Sequence, residues 1–192
     1  MNILHMKTIK FLSLAFIGSI VLTSCNDDND SAPVNEEEVI TTITATLTPV
    51  AGAPIILQSR DIDGDGPNAP VITVSGNLTA GATYSGRMSI LNELSNPVDD
   101  VTAEIFEEGV DHQFFFQSTN GTVASTTYAD ADVNGKPIGI QFNLVAGTIG
   151  NGNLSIILRH EPNKSGTNVS TGDITNAGGE TDIQVVFPIT VE

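Results

Sequence analysis

The chain of 192 residues has one cysteine, no tryptophan and only seven lysines and arginines. A single cysteine, Cys25, excludes an intramolecular disulfide even in an oxidising compartment. The seven basic residues stand against 23 aspartates and glutamates, so the formal net charge is −16. A surface of that sign repels nucleic acid and anionic lipid headgroups and attracts cations. The composition therefore excludes nucleic acid as a partner and favours cations as ligands.

Recognisable catalytic motifs are also missing. The sequence contains no G-x-S-x-G nucleophile turn and no H-E-x-x-H zinc motif. The absence of tryptophan and the presence of only two tyrosines make a carbohydrate enzyme improbable, because sugar clefts usually stack rings on aromatic side chains. These absences predict a non-enzymatic protein.

The amino terminus has the pattern of a lipoprotein signal. Two lysines precede an apolar run at residues 11–22, which is shorter than the roughly 20 residues of a membrane-spanning helix. The run ends in Leu-Thr-Ser-Cys, which resembles a bacterial lipobox. The resemblance implies that residues 1–24 are a signal peptide and that Cys25 carries the lipid anchor. An ordinary secretory signal is the alternative.

An acidic stretch follows the lipobox. Residues 25–37 contain proline, aspartate and glutamate without apolar periodicity, which predicts a disordered tether. Removal of residues 1–24 leaves five basic against 23 acidic residues, a net charge of −18. The Asn-Asp-Asp after Cys25 resembles the export signals of surface lipoproteins in Bacteroidota, although a linker that is acidic only for solubility is an equal alternative. We expect an outer-membrane lipoprotein on the periplasmic or the cell-surface side.

The remaining residues, 38–192, have the pattern of one antiparallel β-sandwich domain, Ig-like or a related Greek key. Short segments rich in Ile, Val, Thr and Phe alternate between apolar and polar positions and are bounded by Gly, Asn or Pro. Strands are predicted at nine places: 39–48, 55–60, 71–75, 83–91, 112–118, 122–128, 138–145, 153–160 and 181–191.

One segment favours a helix instead. A short amphipathic helix is predicted near 97–108, with Asn96 as its N-cap, Pro97 at its first position and Gly109 ending it. Glu107 and Glu108 are expected on its solvated face.

Three further local patterns predict a hairpin, an edge strand and a long loop. The Asn120-Gly121 pair predicts a hairpin between 112–118 and 122–128. Pro188, on the polar face of the last strand, predicts an edge position because proline cannot donate to a sheet ladder. Residues 161–180 lack periodicity, which predicts a long mobile loop.

Two acidic turns are the candidate metal sites. "DIDGDG" places Asp61, Asp63 and Asp65 at alternate positions before glycine, and "DADVNG" does the same with Asp130, Asp132 and Asn134. Neither is an EF-hand, because the glutamate required at position 12 is replaced by isoleucine and glutamine. A looser calcium site in either turn is one interpretation. The other is that aspartate, asparagine and glycine are simply favoured turn residues.

Two histidines supply a second candidate. If the strands beginning at 112 and ending at 160 run alternately up and down, His112, His160 and the 129–137 loop reach the same end of the sandwich. A cluster of histidines with Asp130 or Asp132 would suit zinc or copper better than calcium. The alternative is a pair of half-buried histidines that are hydrogen-bonded at strand ends.

Several stretches, among them "RDIDGDGPNAP", "DHQFFFQ", "YADADVNGKPIG" and "GGETDIQVVFPITV", resemble a family of small Bacteroidota lipoproteins of unknown function. The resemblance covers nearly all of 35–192. Members are often labelled type 1 periplasmic binding fold proteins, but that fold is a two-lobed α/β structure of about twice this length. The resemblance implies location and lineage and transfers no catalytic residue.

These patterns support three functions. The first is a membrane-anchored binding domain, or an accessory to an outer-membrane transporter, that captures a divalent cation or small ligand. The second is a structural or adhesive surface domain with calcium-stiffened loops. The third is a hydrolase without a recognisable motif.

Overall fold

The computed structural model describes residues 39–64 and 66–192. The predicted signal peptide, the lipidation site Cys25, the tether and Asp65 lie outside these residues. Within them the chain forms one α-helix, two short 3₁₀ helices and nine strands. In chain order these are β1 (Thr42–Pro49), β2 (Ile55–Arg60), β3 (Val71–Val74), β4 (Thr83–Leu91), α1 (Val101–Glu107), β5 (His112–Ser118), β6 (Val123–Tyr128), β7 (Gln141–Ala146), β8 (Gly150–His160), the 3₁₀ helices Val169–Thr171 and Ile174–Asn176, and β9 (Glu180–Val191).

The strands form two antiparallel sheets that enclose one main core. The larger sheet has the order β3-β2-β1-β4-β7-β6, and the smaller has the order β5-β8-β9. The neighbours β4-β1-β2-β3 are the spatial order of a Greek key. The prediction of an all-β antiparallel sandwich is confirmed.

Alternation of apolar and polar residues decides which face of each strand enters the core. In β1, Ile43, Ala45 and Leu47 are fully buried while the threonines between them face outward. Phe142 of β7 fills the space beside Gly86 of β4, where an added Cβ would lie 2.3 Å from its ring. Glycine is therefore required at that position by close approach.

The predicted helix exists, but it begins later than expected. Asp100 is the N-cap and accepts a hydrogen bond from the Thr102 amide at 3.2 Å, so Asn96 and Pro97 precede the helix. The Thr102 hydroxyl both accepts from the Ile90 amide and donates to the Ile90 carbonyl. It thereby takes the place of a neighbouring strand beside the end of β4.

The predicted hairpin at Asn120-Gly121 is wrong. Both residues have the positive φ angles of a tight turn, 57° and 66°, but β5 pairs with β8 and β6 pairs with β7. The turn therefore carries the chain from one sheet to the other. Pro188 does lie on an edge strand, because β9 pairs with β8 on one side and meets only an isolated bridge from Leu78 to Val191 on the other.

Residues 161–180 are not the structureless loop that the sequence predicts. They contain both 3₁₀ helices and cover the outer face of the smaller sheet. Val169 and Ala177 are fully buried there against Phe115 and Ile157. This second, smaller core escapes periodicity analysis because only isolated residues of the segment contribute to it.

Candidate metal centre

Two histidines meet at one end of the smaller sheet. His112 begins β5, His160 ends β8, and the antiparallel register pairs them directly. Their rings stack with centroids 4.6 Å apart and an interplanar angle of 20°. The predicted convergence of the two histidines is therefore confirmed.

The acidic partner of the histidines is Asp182 of β9, which the sequence analysis missed. Its Oδ2 lies 3.9 Å from Nε2 of His112, and its Oδ1 lies 3.8 Å from Nδ1 of His160. No two of the three ligand atoms are more than 4.8 Å apart. The three side chains therefore offer two nitrogens and a carboxylate to one point in space.

A β-bulge brings Asp182 into this position. Ile183 pairs with Leu158 and Thr181 pairs with Arg159, so Asp182 is the additional residue between two consecutive pairs. Strict alternation from the apolar residues of β9 would place Asp182 on the opposite face from the histidines. A bulge re-aims a side chain in this way, and no feature of the sequence indicates it.

His112 is held in one orientation. Its Nδ1 lies 3.1 Å from the carbonyl oxygen of Glu108, at the end of α1. A carbonyl only accepts, so Nδ1 donates its hydrogen to Glu108, and in the neutral imidazole the lone pair is then on Nε2, the nitrogen on the Asp182 side. Burial of the imidazole lowers the pKa of His112, which favours the neutral, metal-binding form.

The three residues differ in their access to solvent. The side chains of His112, Asp182 and His160 are 1%, 9% and 15% exposed. An ion would therefore reach the cluster past His160. In a tetrahedral zinc site with bonds of 2.0–2.1 Å, neighbouring ligand atoms lie about 3.4 Å apart. The histidine–aspartate pairs at 3.8 Å and 3.9 Å would therefore have to close by about half an ångström, and a pair at the 4.8 Å limit by about 1.4 Å.

Asp130 and Asp132 do not join the histidines, because other groups hold their carboxylates. The two oxygens of Asp130 accept hydrogen bonds from the amides of Gly139 and Gln141, both at 2.7 Å. Asp132 accepts from the amides of Asn134 and Lys136, at 2.8 Å and 2.9 Å. The carboxylates thus organise the turn itself.

A buried lysine completes the second acidic turn. Nζ of Lys164 lies 3.0 Å from Oδ2 of Asp132 and also donates to the Gly109 carbonyl. Burial alone would raise the pKa of Asp132, but the hydrogen bonds from Lys136 and Lys164 outweigh it and the pKa is lowered. The Lys164 side chain thus already neutralises one carboxylate oxygen of the second acidic turn, one of the two candidate calcium sites.

The first acidic turn is partly organised by its own side chains. Oδ2 of Asp63 accepts hydrogen bonds from the amide and the side chain of Asn68, at 3.2 Å and 2.7 Å. Oδ1 of Asp61 is buried and has no hydrogen-bond partner among the described atoms. Since Asp65 lies outside the described residues, calcium binding here stays a prediction.

Comparisons with protein-family models, with curated proteins and with solved structures found no match to this chain. The resemblance to Bacteroidota lipoproteins therefore stays a prediction. Across 39–64 and 66–192, none of the helices has the length and apolar character to cross a membrane.

Proposed function

We propose that this protein is a non-enzymatic metal-binding domain of the cell envelope, with His112, His160 and Asp182 as the ligands. The observation that supports the proposal is the convergence of two imidazole nitrogens and a carboxylate within 4.8 Å. The alternative explanation of such a cluster is a structural ion pair between the histidines and the aspartate. The Glu108 carbonyl favours the metal interpretation, because metal-binding histidines characteristically donate their second N–H to such an acceptor.

The ligand set favours zinc or copper over calcium. Imidazole suits Zn²⁺ and Cu²⁺, whereas calcium takes six to eight oxygen ligands and no nitrogen. The net charge of −18 for residues 25–192 raises the local concentration of any cation. With anchoring through Cys25, such a domain would hold a metal ion at the membrane surface, either as a store or as an accessory to an outer-membrane transporter.

The test is a titration of the purified protein with Zn²⁺ and Cu²⁺ at neutral pH by competition with a chromophoric chelator. We expect one equivalent to bind. His160→Ala and Asp182→Asn should each weaken binding by more than about tenfold, since loss of even an outer partner of a ligand costs 10- to 100-fold. Asp111→Asn is the matched control, because Asp111 is an exposed carboxylate beside His112 that is not in the cluster.

A second readout separates metal binding from a structural ion pair. An ion bound to the folded state at a hundredfold excess over its Kd stabilises that state by about 2.7 kcal/mol. The melting temperature of the wild type should therefore rise with Zn²⁺, and that of Asp182→Asn should not. Unchanged melting together with no bound metal would leave the cluster as a structural feature and overturn the proposal.

A further inference from the structure

Three ligands leave the proposed metal centre incomplete. A zinc site that only holds its ion takes four protein ligands, whereas His112, His160 and Asp182 supply three. Two neutral imidazoles and one carboxylate also leave one of the two positive charges of Zn²⁺ uncompensated. Because the three side chains are at most 15% exposed, an uncompensated charge among them is costly. A second carboxylate would supply both the fourth ligand and the missing negative charge.

The strand register places the carboxylate of Glu180 beside the histidines. His160 pairs with His112 on one side and with Glu180, the first residue of β9, on the other. Directly opposed residues of antiparallel strands project from the same face of the sheet, with Cβ atoms about 4.5–5.5 Å apart. His112, His160 and Glu180 therefore form one row across the three strands of the smaller sheet.

The backbone that leads into Glu180 is fixed against β8. A Cβ added to Gly179 would lie 2.1 Å from the carbonyl oxygen of His160, so only glycine allows this close approach. The guanidinium of Arg159 donates from Nη1 to the Gly179 carbonyl at 3.2 Å. These contacts hold the backbone of Glu180 beside His160 and leave its side chain as the part that can move.

The Glu180 side chain is exposed and stands opposite His160, the most exposed of the three ligands. Its carboxylate does not belong to the group of ligand atoms that lie within 4.8 Å of one another. A glutamate carboxylate lies two bonds beyond Cβ and turns about three side-chain torsions, so a change of rotamer brings it towards His160 without movement of the backbone. The atom it would approach is Nδ1 of His160, which is also the nitrogen nearest Asp182.

We infer that Glu180 is a detachable fourth ligand, which closes the metal centre over a bound ion and opens it for release. This inference rests on the proposed function, since it requires an ion at the cluster. The other three ligands are held within the sheet, whereas Glu180 is exposed at the end of an edge strand. Its departure opens one coordination position on the solvent side, where a ligand from an acceptor protein can bind before the ion leaves. Such a site favours transfer of the ion to a partner over permanent structural binding.

The rate of zinc release tests the closing role. The full chain, loaded with one equivalent of Zn²⁺, is mixed with an excess of a chromophoric chelator, and the transfer is followed by stopped-flow absorbance. Glu180→Gln should still bind one equivalent, but with an affinity lower by about tenfold or more and a correspondingly faster release. Glu161→Gln is the matched control, because Glu161 is exposed and adjoins His160, but its φ of 48° turns the chain out of the strand. It should leave affinity and release unchanged.

Cobalt in place of zinc reports the coordination itself through its visible absorption. Added azide should change the Co²⁺ spectrum of Glu180→Gln, in which one position is open, and should change that of the wild type little. One bound equivalent with unchanged release in Glu180→Gln would overturn this inference and leave the proposed function standing. Equal effects of Glu180→Gln and Glu161→Gln would assign them to a general loss of negative charge and would also overturn it. A wild type that binds no metal would overturn both proposals.

Discussion

Replacement of Lys164 by methionine tests the most deeply buried charge pair that the structure describes. The side chains of Lys164 and Asp132 are only 6% and 1% exposed, and their charged atoms are 3.0 Å apart. Methionine keeps most of the side-chain volume and removes the charge. The substitution therefore leaves Asp132 ionised in a buried place, with only backbone amides as partners.

The expected loss of unfolding free energy follows from these contacts. Removal of one partner of a buried ion pair costs about 3–5 kcal/mol. Because Asp132 keeps the amides of Asn134 and Lys136 as donors, we expect the lower end, about 3 kcal/mol. For a domain of this size that corresponds to a fall in Tm of about 6–12 °C.

The assay is urea and thermal unfolding followed by circular dichroism. Lys136→Met is the matched control, because Lys136 contacts Asp132 through its backbone amide and not its side chain. The double variant Lys164→Met/Asp132→Asn should lose less than the sum of the single losses, since the two residues share one interaction. If Lys164→Met proves as stable as Lys136→Met, the energetic reasoning about this pair is wrong.

The same pair predicts a pH dependence with a definite sign. The pKa of Asp132 lies below its ordinary value of 3.8 in the folded protein. As the pH falls, the unfolded chain takes up the proton first, so the carboxylate contributes stability above that value and loses it below. The stability difference between wild type and Asp132→Asn should therefore be largest near neutral pH and shrink on acidification towards and below pH 3.8. A difference that grows on acidification would contradict this assignment.

Two remaining predictions concern the anchor and the acidic turns. Full-length protein should partition into detergent and Cys25→Ser should not, because durable anchoring requires acyl chains on that residue; identical fractionation would refute lipidation. Any rise of Tm in millimolar calcium should be lost in Asp63→Asn and retained in Asn134→Ala, since Lys164 already neutralises the second turn. The reverse pattern would place calcium at the second turn.

Much of the fold is predictable because burial within a strand has a period of two. The alternating apolar residues Ile43, Ala45 and Leu47 identify the buried face of β1, whichever strands lie beside it. Pro188 likewise predicts an edge strand, because proline has no amide hydrogen to donate to a neighbouring strand on that side. The sequence misplaces the start of α1 because Asn96 and Asp100 are both good N-caps. In the structure Asp99 exchanges two backbone hydrogen bonds with Asn92, so the helix begins only after it.

The sequence alone determined where the strands lie, which faces they bury and the sign of the surface charge, because these depend on residue type and local spacing. The tertiary structure decided which strands pair. The Asn120-Gly121 turn has the same local geometry whether it joins neighbours or crosses between sheets. The tertiary structure also decided the candidate site. Asp182 reaches the histidines through a bulge, and this bulge is a one-residue change in the register of β9 against β8. Register belongs to two strands together, and neither strand's own pattern contains it.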